Sequence, residues 1–141
     1  MFQPHTLAAL AGLALLSSTS AMAGDGGCTL ATLHGTLGWQ ATYTKNGAPR
    51  AGSGFESYDG AGHLKYTELV SDGFVTTPYT GTGTYTITSG CVATVTYDGG
   101  GTPFQYFVAP DGSAYYWTNN QNAGAVVSGR AERVSFSLLV K

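Results

Sequence analysis

Among the charged residues of this sequence, Glu68 has the position that most suggests chemistry. It lies in an alternating segment and shares the parity of Leu64, Tyr66 and Val70. Side chains along a β-strand alternate between its two faces, so strict alternation points the Glu68 carboxylate inward with these apolar side chains. A carboxylate in an apolar interior needs a partner. We therefore expect Glu68 to be the most buried carboxylate in the chain.

The candidate partners of Glu68 are arginines near the end of the chain. Arg133 shares the parity of the small and apolar positions of the last alternating segment, and Arg130 is the second candidate. An inward pair of Glu68 with either arginine could orient a polar group of a ligand or serve an acid-base step. The alternative is that a bulge at Leu69, or a place at the rim, leaves Glu68 in water.

Aromatic residues form the second constellation. The sequence contains 9 tyrosines, 6 phenylalanines and 2 tryptophans. Many of them occupy strand positions compatible with one face, where a ring with a polar tip suits a ligand cavity and equally suits a filled core. Together with Glu68 and Arg133, the predicted ligand-binding residues are Trp39, Tyr66, Tyr85, Tyr106, Tyr115 and Trp117.

Other kinds of chemistry lack their motifs. Beyond residue 23 the only histidines are His34 and His63, which with two cysteines make no zinc pattern. Ser53 lies in Gly-Ser-Gly rather than in a nucleophile elbow, and no helix follows the glycine-rich stretches to bind phosphate. We therefore predict no metal site and no cofactor, and no catalytic residue apart from Glu68 as a weak candidate.

The charge content argues against a nucleic-acid-binding protein, and the cysteine content indicates a disulfide. Only 10% of the residues are charged and the formal net charge is −2, so there is no basic surface for nucleic acid. The two cysteines, Cys28 and Cys91, form an even pair, which in an exported chain predicts one disulfide.

The beginning of the chain is typical of an export signal. An apolar run at residues 7–16 precedes Ala21-Met22-Ala23, an A-x-A cleavage site, although the first residues lack Lys and Arg. We predict a signal peptide at 1–23 and one domain at 24–141, periplasmic or secreted. Asp25 stands where a lipoprotein would have leucine before Cys28, so we reject lipid attachment. No later apolar stretch is long enough for a membrane span.

The elements that must position these residues are strands. Period-two alternation, as in Leu37, Trp39, Ala41 and Tyr43, recurs between turn dipeptides, and we count about nine strand candidates. Pro78 interrupts one of them and indicates an edge or a bulge. Nearly all connections have hairpin length. The pattern predicts an all-β fold, a single antiparallel up-and-down β-barrel of about eight strands, with a β-sandwich as the alternative.

Four segments resemble a known group of proteins. They are Thr29 to Gly38, in the pattern T-L-A-T-L-x-G-T-x-G after a cysteine, then Asp59-Gly60-Ala61-Gly62, Gly83 to Cys91, and Val126 to Arg133. They are similar to small exported bacterial proteins predicted to be lipocalin-like, or calycin-like, β-barrels. The resemblance implies the fold and carries no activity. By analogy with lipocalins, Trp39 could pack against Arg130 or Arg133 as a plug at one barrel end.

Three functions are compatible with these features. The first is a non-catalytic barrel that binds a small, partly apolar molecule outside the cytoplasm. The second is an inhibitor or contact module for an extracytoplasmic hydrolase, acting through a loop or through residues 24–29. The third is a barrel-type cyclase or isomerase with Glu68 and a tyrosine as acid and base. We expect a monomer or a weak homo-oligomer.

The export signal makes a direct prediction. Cleavage after Ala23 gives a mature chain that begins with Gly24-Asp25. N-terminal sequencing of protein recovered from outside the cytoplasm should read these residues first. A sequence that starts at Met1, or a lipid on Cys28, would contradict the prediction.

Overall fold

The computed structural model describes residues 27–119 and 126–140. Eight antiparallel strands in these residues close into a barrel, with each strand beside the next and β8 beside β1. This confirms the predicted up-and-down barrel. The predicted signal peptide at 1–23 lies outside the described residues. The strands are β1 His34–Lys45, β2 Ala48–Asp59, β3 His63–Ser71, β4 Thr76–Ile87, β5 Val92–Tyr97, β6 Phe104–Val108, β7 Ala114–Asn119 and β8 Val126–Ser135.

The alternation in the sequence appears directly in the strands. In β1, Leu37 and Ala41 are buried whereas Gln40 and Thr42 are exposed. The turn from β1 to β2 is Asn46-Gly47, and both residues have positive φ angles, 52° and 79°. Asn-Gly favours this geometry because asparagine and glycine tolerate the left-handed region, and such a turn matches the twist of the paired strands. Nothing among the described residues forms a helix long and apolar enough to cross a membrane.

The count of nine strand candidates is wrong by one because of β4. The segments beginning at Phe74 and Thr84, predicted as separate strands, join in Thr76–Ile87. Pro78 lies opposite Leu69 of β3, while β5 pairs only with Gly83 to Ile87 of β4. Pro78 therefore has a strand neighbour on one side only, and its missing N–H costs the sheet no ladder bond.

Unequal strand lengths make the two barrel ends different. Strands β1, β2 and β4 have 12 residues each, whereas β5, β6 and β7 have 6, 5 and 6. The long hairpins project past the short strands at the end that carries the β1–β2, β3–β4 and β5–β6 turns, which we call the open end. The opposite end, with the β2–β3, β4–β5 and β6–β7 turns, we call the closed end.

A single 3-10 turn, Leu30–Thr32, covers the closed end. Leu33 follows it and is fully buried. The Tyr85 hydroxyl lies 2.9 Å from the carbonyl oxygens of both Leu30 and Leu33. Arg133 Nη2 donates to the Gly112 carbonyl oxygen at 2.6 Å. These bonds tie the turn and Leu33, which together we call the plug, to β4, β8 and the β6–β7 turn.

The packed core fills the closed half of the barrel. Its side chains come from both the plug and the strands, and they interlock without access to water. Those with at most 2% exposure include Leu33, Leu37, Tyr58, Leu64, Val95 and Tyr115.

The C-terminal segment covers part of the outer surface. Thr36 and Ser57 point away from the interior and are nevertheless buried. Their hydroxyls lie 2.7 Å apart, and they accept the backbone N–H groups of Leu139 and Val140 at 2.9 and 3.1 Å. This bonding holds the segment after β8 across β1 and β2.

The predicted disulfide is confirmed. Cys28 and Cys91 are joined, and they lie 63 positions apart in the chain. The Cys28 N–H also donates to the Ser89 carbonyl oxygen at 3.2 Å. The bridge therefore ties the segment before the plug to the residue that precedes β5.

Removing this bridge should lower stability without changing the fold. In the chain-entropy model, closing a loop of this length stabilises a protein by roughly 4 kcal/mol, so a Cys28→Ala, Cys91→Ala double variant should lose up to about that amount. Urea unfolding followed by circular dichroism measures the loss. The strand signal before unfolding serves as control, and a midpoint equal to that of the oxidised wild type would contradict the expectation.

Candidate functional site

A pocket of about 830 Å³ opens at the open end of the barrel. It extends inward to Glu56 of β2, and Lys45 and Asp98 lie among its lining residues near the turns. The open half of the interior is therefore a cavity, in contrast to the packed closed half. Aromatic side chains form much of its wall, and the rings belong to Trp39, Tyr43, Tyr66, Tyr97, Phe104, Tyr106 and Trp117.

Glycines opposite the aromatic residues give the rings their positions. Gly129 of β8 pairs with Trp117 of β7, and Gly81 of β4 pairs with Tyr66 of β3. A Cβ atom at Gly129 would lie 2.2 Å from Trp117 Cζ2, and one at Gly81 would lie 2.7 Å from Tyr66 Cε1. Such separations are sterically excluded, so only glycine lets each ring lie against the neighbouring strand. The rings consequently line the pocket without filling it.

The two tryptophans meet over β8, which lies between their strands β1 and β7. Trp39 and Trp117 have ring centroids 6.0 Å apart at an angle of 73°, an edge-to-face contact. The Trp39 ring also covers Gly52, where a Cβ atom would lie 3.1 Å from Cη2. Within the described part of the chain, the buried indole N–H of Trp39 has no hydrogen-bond partner.

At the base of the pocket, Glu56 collects the hydroxyls of several tyrosines. Tyr58 and Tyr115 donate to its Oε2 atom, and Tyr97 donates to Oε1. The Tyr106 hydroxyl lies 2.7 Å from that of Tyr97. Because the single phenolic proton of Tyr97 is directed to Glu56, Tyr106 must be the donor in this last bond. The arrangement satisfies an ionised carboxylate, which only accepts hydrogen bonds.

Burial controls the proton affinities in this network. It raises the pKa of Glu56 above its ordinary value, and the hydrogen bonds from its tyrosines offset only part of the effect. The same burial, together with the negative charge of Glu56, raises each tyrosine pKa, so the phenols stay protonated donors. The tyrosines whose pKa is well above the ordinary value are Tyr58, Tyr97, Tyr106 and Tyr115.

Glu68 faces the same pocket but is less buried than predicted. Its side chain lines the pocket with Glu56 and is partly exposed, whereas Glu56 is only 3% exposed. The expectation that Glu68 is the most buried carboxylate is therefore wrong. Burial raises the pKa of Glu68, and the negative charge of Glu56 adds to that rise.

The predicted pair of Glu68 with an arginine is also wrong. Arg133 bonds to carbonyl groups at the closed end, and Arg130 pairs with Glu132 on the surface at 2.8 Å. Among the described residues, neither arginine forms an ion pair with Glu68. Parity fixes the face of a strand but not the level along the barrel axis. Glu68 lies near the open end, whereas Arg133 lies beside Leu37 near the closed end.

The other predicted binding residues divide between the two halves. Tyr115 lies behind the pocket, where its ring stacks on Tyr106 at 4.4 Å. Tyr85 belongs to the plug. Arg133 packs over the Phe136 ring at 4.8 Å instead of over Trp39, so it does not form the contact with Trp39 that the analogy with lipocalins suggested. The predicted residues that do line the pocket are Trp39, Tyr66, Glu68, Tyr106 and Trp117.

Sequence reasoning missed Glu56, the central residue of the site. A signal was present, because Glu56 shares parity with Tyr58 and with Gly52 and Gly54 in β2. Two glycines in four inward positions weakened the alternation of hydrophobic residues. The glycines accommodate neighbouring groups, since a Cβ atom at Gly54 would lie 2.2 Å from the Thr67 carbonyl oxygen.

Comparison with known proteins finds similar structures but no matching family. No protein-family model matches the sequence, and no curated protein matches it. The resemblance to small exported bacterial proteins therefore stays a prediction. Two solved structures are similar. A redesigned β-barrel, mFAP0, bound to DFHBI, has 21% identity and a TM-score of 0.47, with 72% of this chain and 99% of that chain covered. A second one, mFAP1, also bound to DFHBI, has 23% identity and a TM-score of 0.46, with 74% and 98% covered.

The raised pKa of Glu56 predicts how stability changes with pH. The folded protein holds this proton more tightly than the unfolded chain does, so the free energy of unfolding should fall as pH rises from about 4.5 through the folded-state pKa. Glutamine cannot ionise. The stability of the wild type relative to Glu56→Gln should therefore decrease with rising pH.

Urea unfolding of both proteins between pH 4 and pH 8 measures this difference. Glu132→Gln, which changes an exposed carboxylate on the outer surface, is the control for the substitution itself. The prediction would be contradicted if the free energy of unfolding of the wild type, minus that of Glu56→Gln, stayed constant or increased with pH.

Proposed function

We propose that this protein is a non-catalytic barrel that binds a small, partly apolar molecule in the pocket at its open end. The observation that carries the proposal is the half-filled interior: the closed half is packed, while the open half keeps an aromatic cavity of about 830 Å³. A volume of this size is typical of sites for small ligands. A purely structural barrel of this strand number can fill its interior with side chains.

The polar groups of the pocket suit recognition better than catalysis. Glu56 is shielded by the hydroxyls of Tyr58, Tyr97 and Tyr115, which occupy both of its oxygen atoms. A general base needs direct reach to the proton that it removes. A carboxylate enclosed in this way instead fixes the rings around it and gives the base of the pocket its polarity.

The location outside the cytoplasm is supported by the disulfide. Cys28 and Cys91 are paired, and such bridges persist in oxidising compartments. The export signal at residues 1–23 agrees with that location. We therefore propose that the ligand is met in the periplasm or outside the cell.

A contact role is the second candidate, and one residue favours it. Phe74, in the β3–β4 turn, is 97% exposed, and the neighbouring Val75 is 61% exposed. Exposed aromatic residues on projecting turns are common anchors in protein contacts. This feature lies outside the pocket lining, so the two roles can be tested separately.

Binding in the pocket should be detectable through the tryptophans. Trp39 and Trp117, the only two in the sequence, both line it. N-phenyl-1-naphthylamine, a neutral apolar fluorophore, should bind saturably and take up energy from their excited states. The Phe104→Ala variant removes a ring from the wall and should weaken binding by roughly three- to tenfold.

The matched control is Phe107→Ala, because Phe107 is on the same strand but points outward and is 61% exposed. It should leave the affinity unchanged. A signal that does not saturate, or an equal loss in the two variants, would contradict binding in the pocket. Phe74→Ala should also leave it unchanged, since that residue belongs to the contact surface of the second candidate.

A further inference from the structure

We propose that the pocket selects organic cations, namely small molecules that join an aromatic or apolar group to a quaternary or protonated amine, with the positive charge held beside Glu68 and above Glu56. The proposal rests on the proposed function, since it names the ligand class of the same pocket. It follows from the charges of the lining residues and from the way in which their rings are turned.

The charges in the pocket do not balance. Glu56 and Glu68 line it inside the barrel. At its rim, Asp98 and Lys45, the one basic side chain in the lining, are both exposed, and Asp98 accepts a hydrogen bond from the Thr82 hydroxyl. The ion pairs within residues 27–119 and 126–140 involve other carboxylates, on the outside of the barrel. Arg50 lies opposite Tyr43 near the mouth of the pocket, but it is not among the lining residues, and its charge acts on Asp72.

Glu56 makes this imbalance matter. It is 3% exposed, and in the described residues its oxygen atoms meet hydroxyl groups but no cationic group. Hydrogen bonds from neutral hydroxyls stabilise a buried carboxylate less than a nearby positive charge does. Burial raises the pKa of both Glu56 and Glu68, and the negative charge of Glu56 adds to the rise at Glu68. A cation in the pocket would supply it where water is largely excluded and attraction is strong.

Rings that line the pocket stand at steep angles to one another. Trp39 meets Trp117 edge to face, and Tyr66 meets Tyr97 in the same way, with centroids 5.0 Å apart at 73°. Tyr97 and Phe104 are likewise perpendicular, at 5.6 Å and 77°. In an edge-to-face pair at most one π face of the two rings is covered by the other, so π faces remain free to attract quaternary and protonated amines. The stacked rings lie deeper, on the Tyr106 and Tyr115 side.

Other ligand classes fit less well. An anion would meet the carboxylates of Glu56 and Glu68. A neutral apolar molecule would cover Glu68 without giving it a partner, and that desolvation opposes binding. An organic cation gains from the carboxylates and from the rings together, so it should be preferred over a neutral molecule of the same shape.

A matched pair of probes tests the preference. The (4-hydroxyphenyl)trimethylammonium ion and 4-tert-butylphenol have nearly the same shape and differ in charge. Isothermal titration calorimetry at pH 7 and low salt should show the cation binding at least about tenfold more tightly to the full protein. Glu68→Gln should reduce the affinity for the cation by about tenfold and change that for 4-tert-butylphenol by less than about twofold.

Glu132→Gln is the control, since it removes one negative charge from the outer surface and not from the pocket. It should leave the affinity for the cation nearly unchanged. An equal loss in the two variants would overturn the proposal, because the attraction would then come from the net charge of the protein. Circular dichroism of each variant at the assay temperature establishes that it is folded.

The remaining outcomes separate this proposal from the proposed function. Equal or tighter binding of 4-tert-butylphenol overturns the preference for cations and leaves a ligand-binding pocket. If neither probe binds, the preference is overturned, and saturable binding of N-phenyl-1-naphthylamine that Phe104→Ala weakens decides whether the pocket binds small molecules at all.

Discussion

The Glu56 carboxylate, bonded to tyrosines from three strands, is the interaction on which the interior of this barrel depends. Tyr58 comes from β2, Tyr97 from β5 and Tyr115 from β7, so their hydroxyls join walls that are far apart along the sheet. Backbone ladders hold each strand only to its neighbours. The network adds connections across the interior. Each tyrosine is held at its hydroxyl by Glu56 and at its ring by neighbouring side chains.

This network also marks the boundary between the two halves of the barrel. Toward the closed end the rings pack on one another. The ring centroid of Tyr58 lies 5.2 Å from that of Tyr85 and 6.3 Å from that of Tyr115, in edge-to-face contacts. Toward the open end, Glu68 is the next carboxylate and the interior becomes a cavity. A buried polar group needs hydrogen bonds on every side that lacks water, and tyrosine supplies them without adding charge.

Strand length and glycine content explain why only one half is filled. The strands β5, β6 and β7 are short and end before the long hairpins do. At the open end the barrel wall is therefore higher on the side of the long strands than on the side of the short ones. Inward glycines, such as Gly81 and Gly129, hold flat rings where larger side chains would fill the space. At the closed end, the 3-10 turn and Leu33 supply the missing volume, and the disulfide keeps that segment in place.

Local sequence patterns were sufficient to predict the fold and the strand face on which each side chain lies. Alternation and turn dipeptides predict an up-and-down barrel, and the cysteine count predicts the Cys28–Cys91 bridge. Parity correctly turned Glu68 inward, because successive side chains of a strand must alternate. What parity could not supply is the level of a residue along the barrel axis, which depends on strand tilt and register between distant strands. Only the closed sheet separated Glu68 from Arg133, brought Tyr97 and Tyr115 to Glu56, and left the open half unfilled.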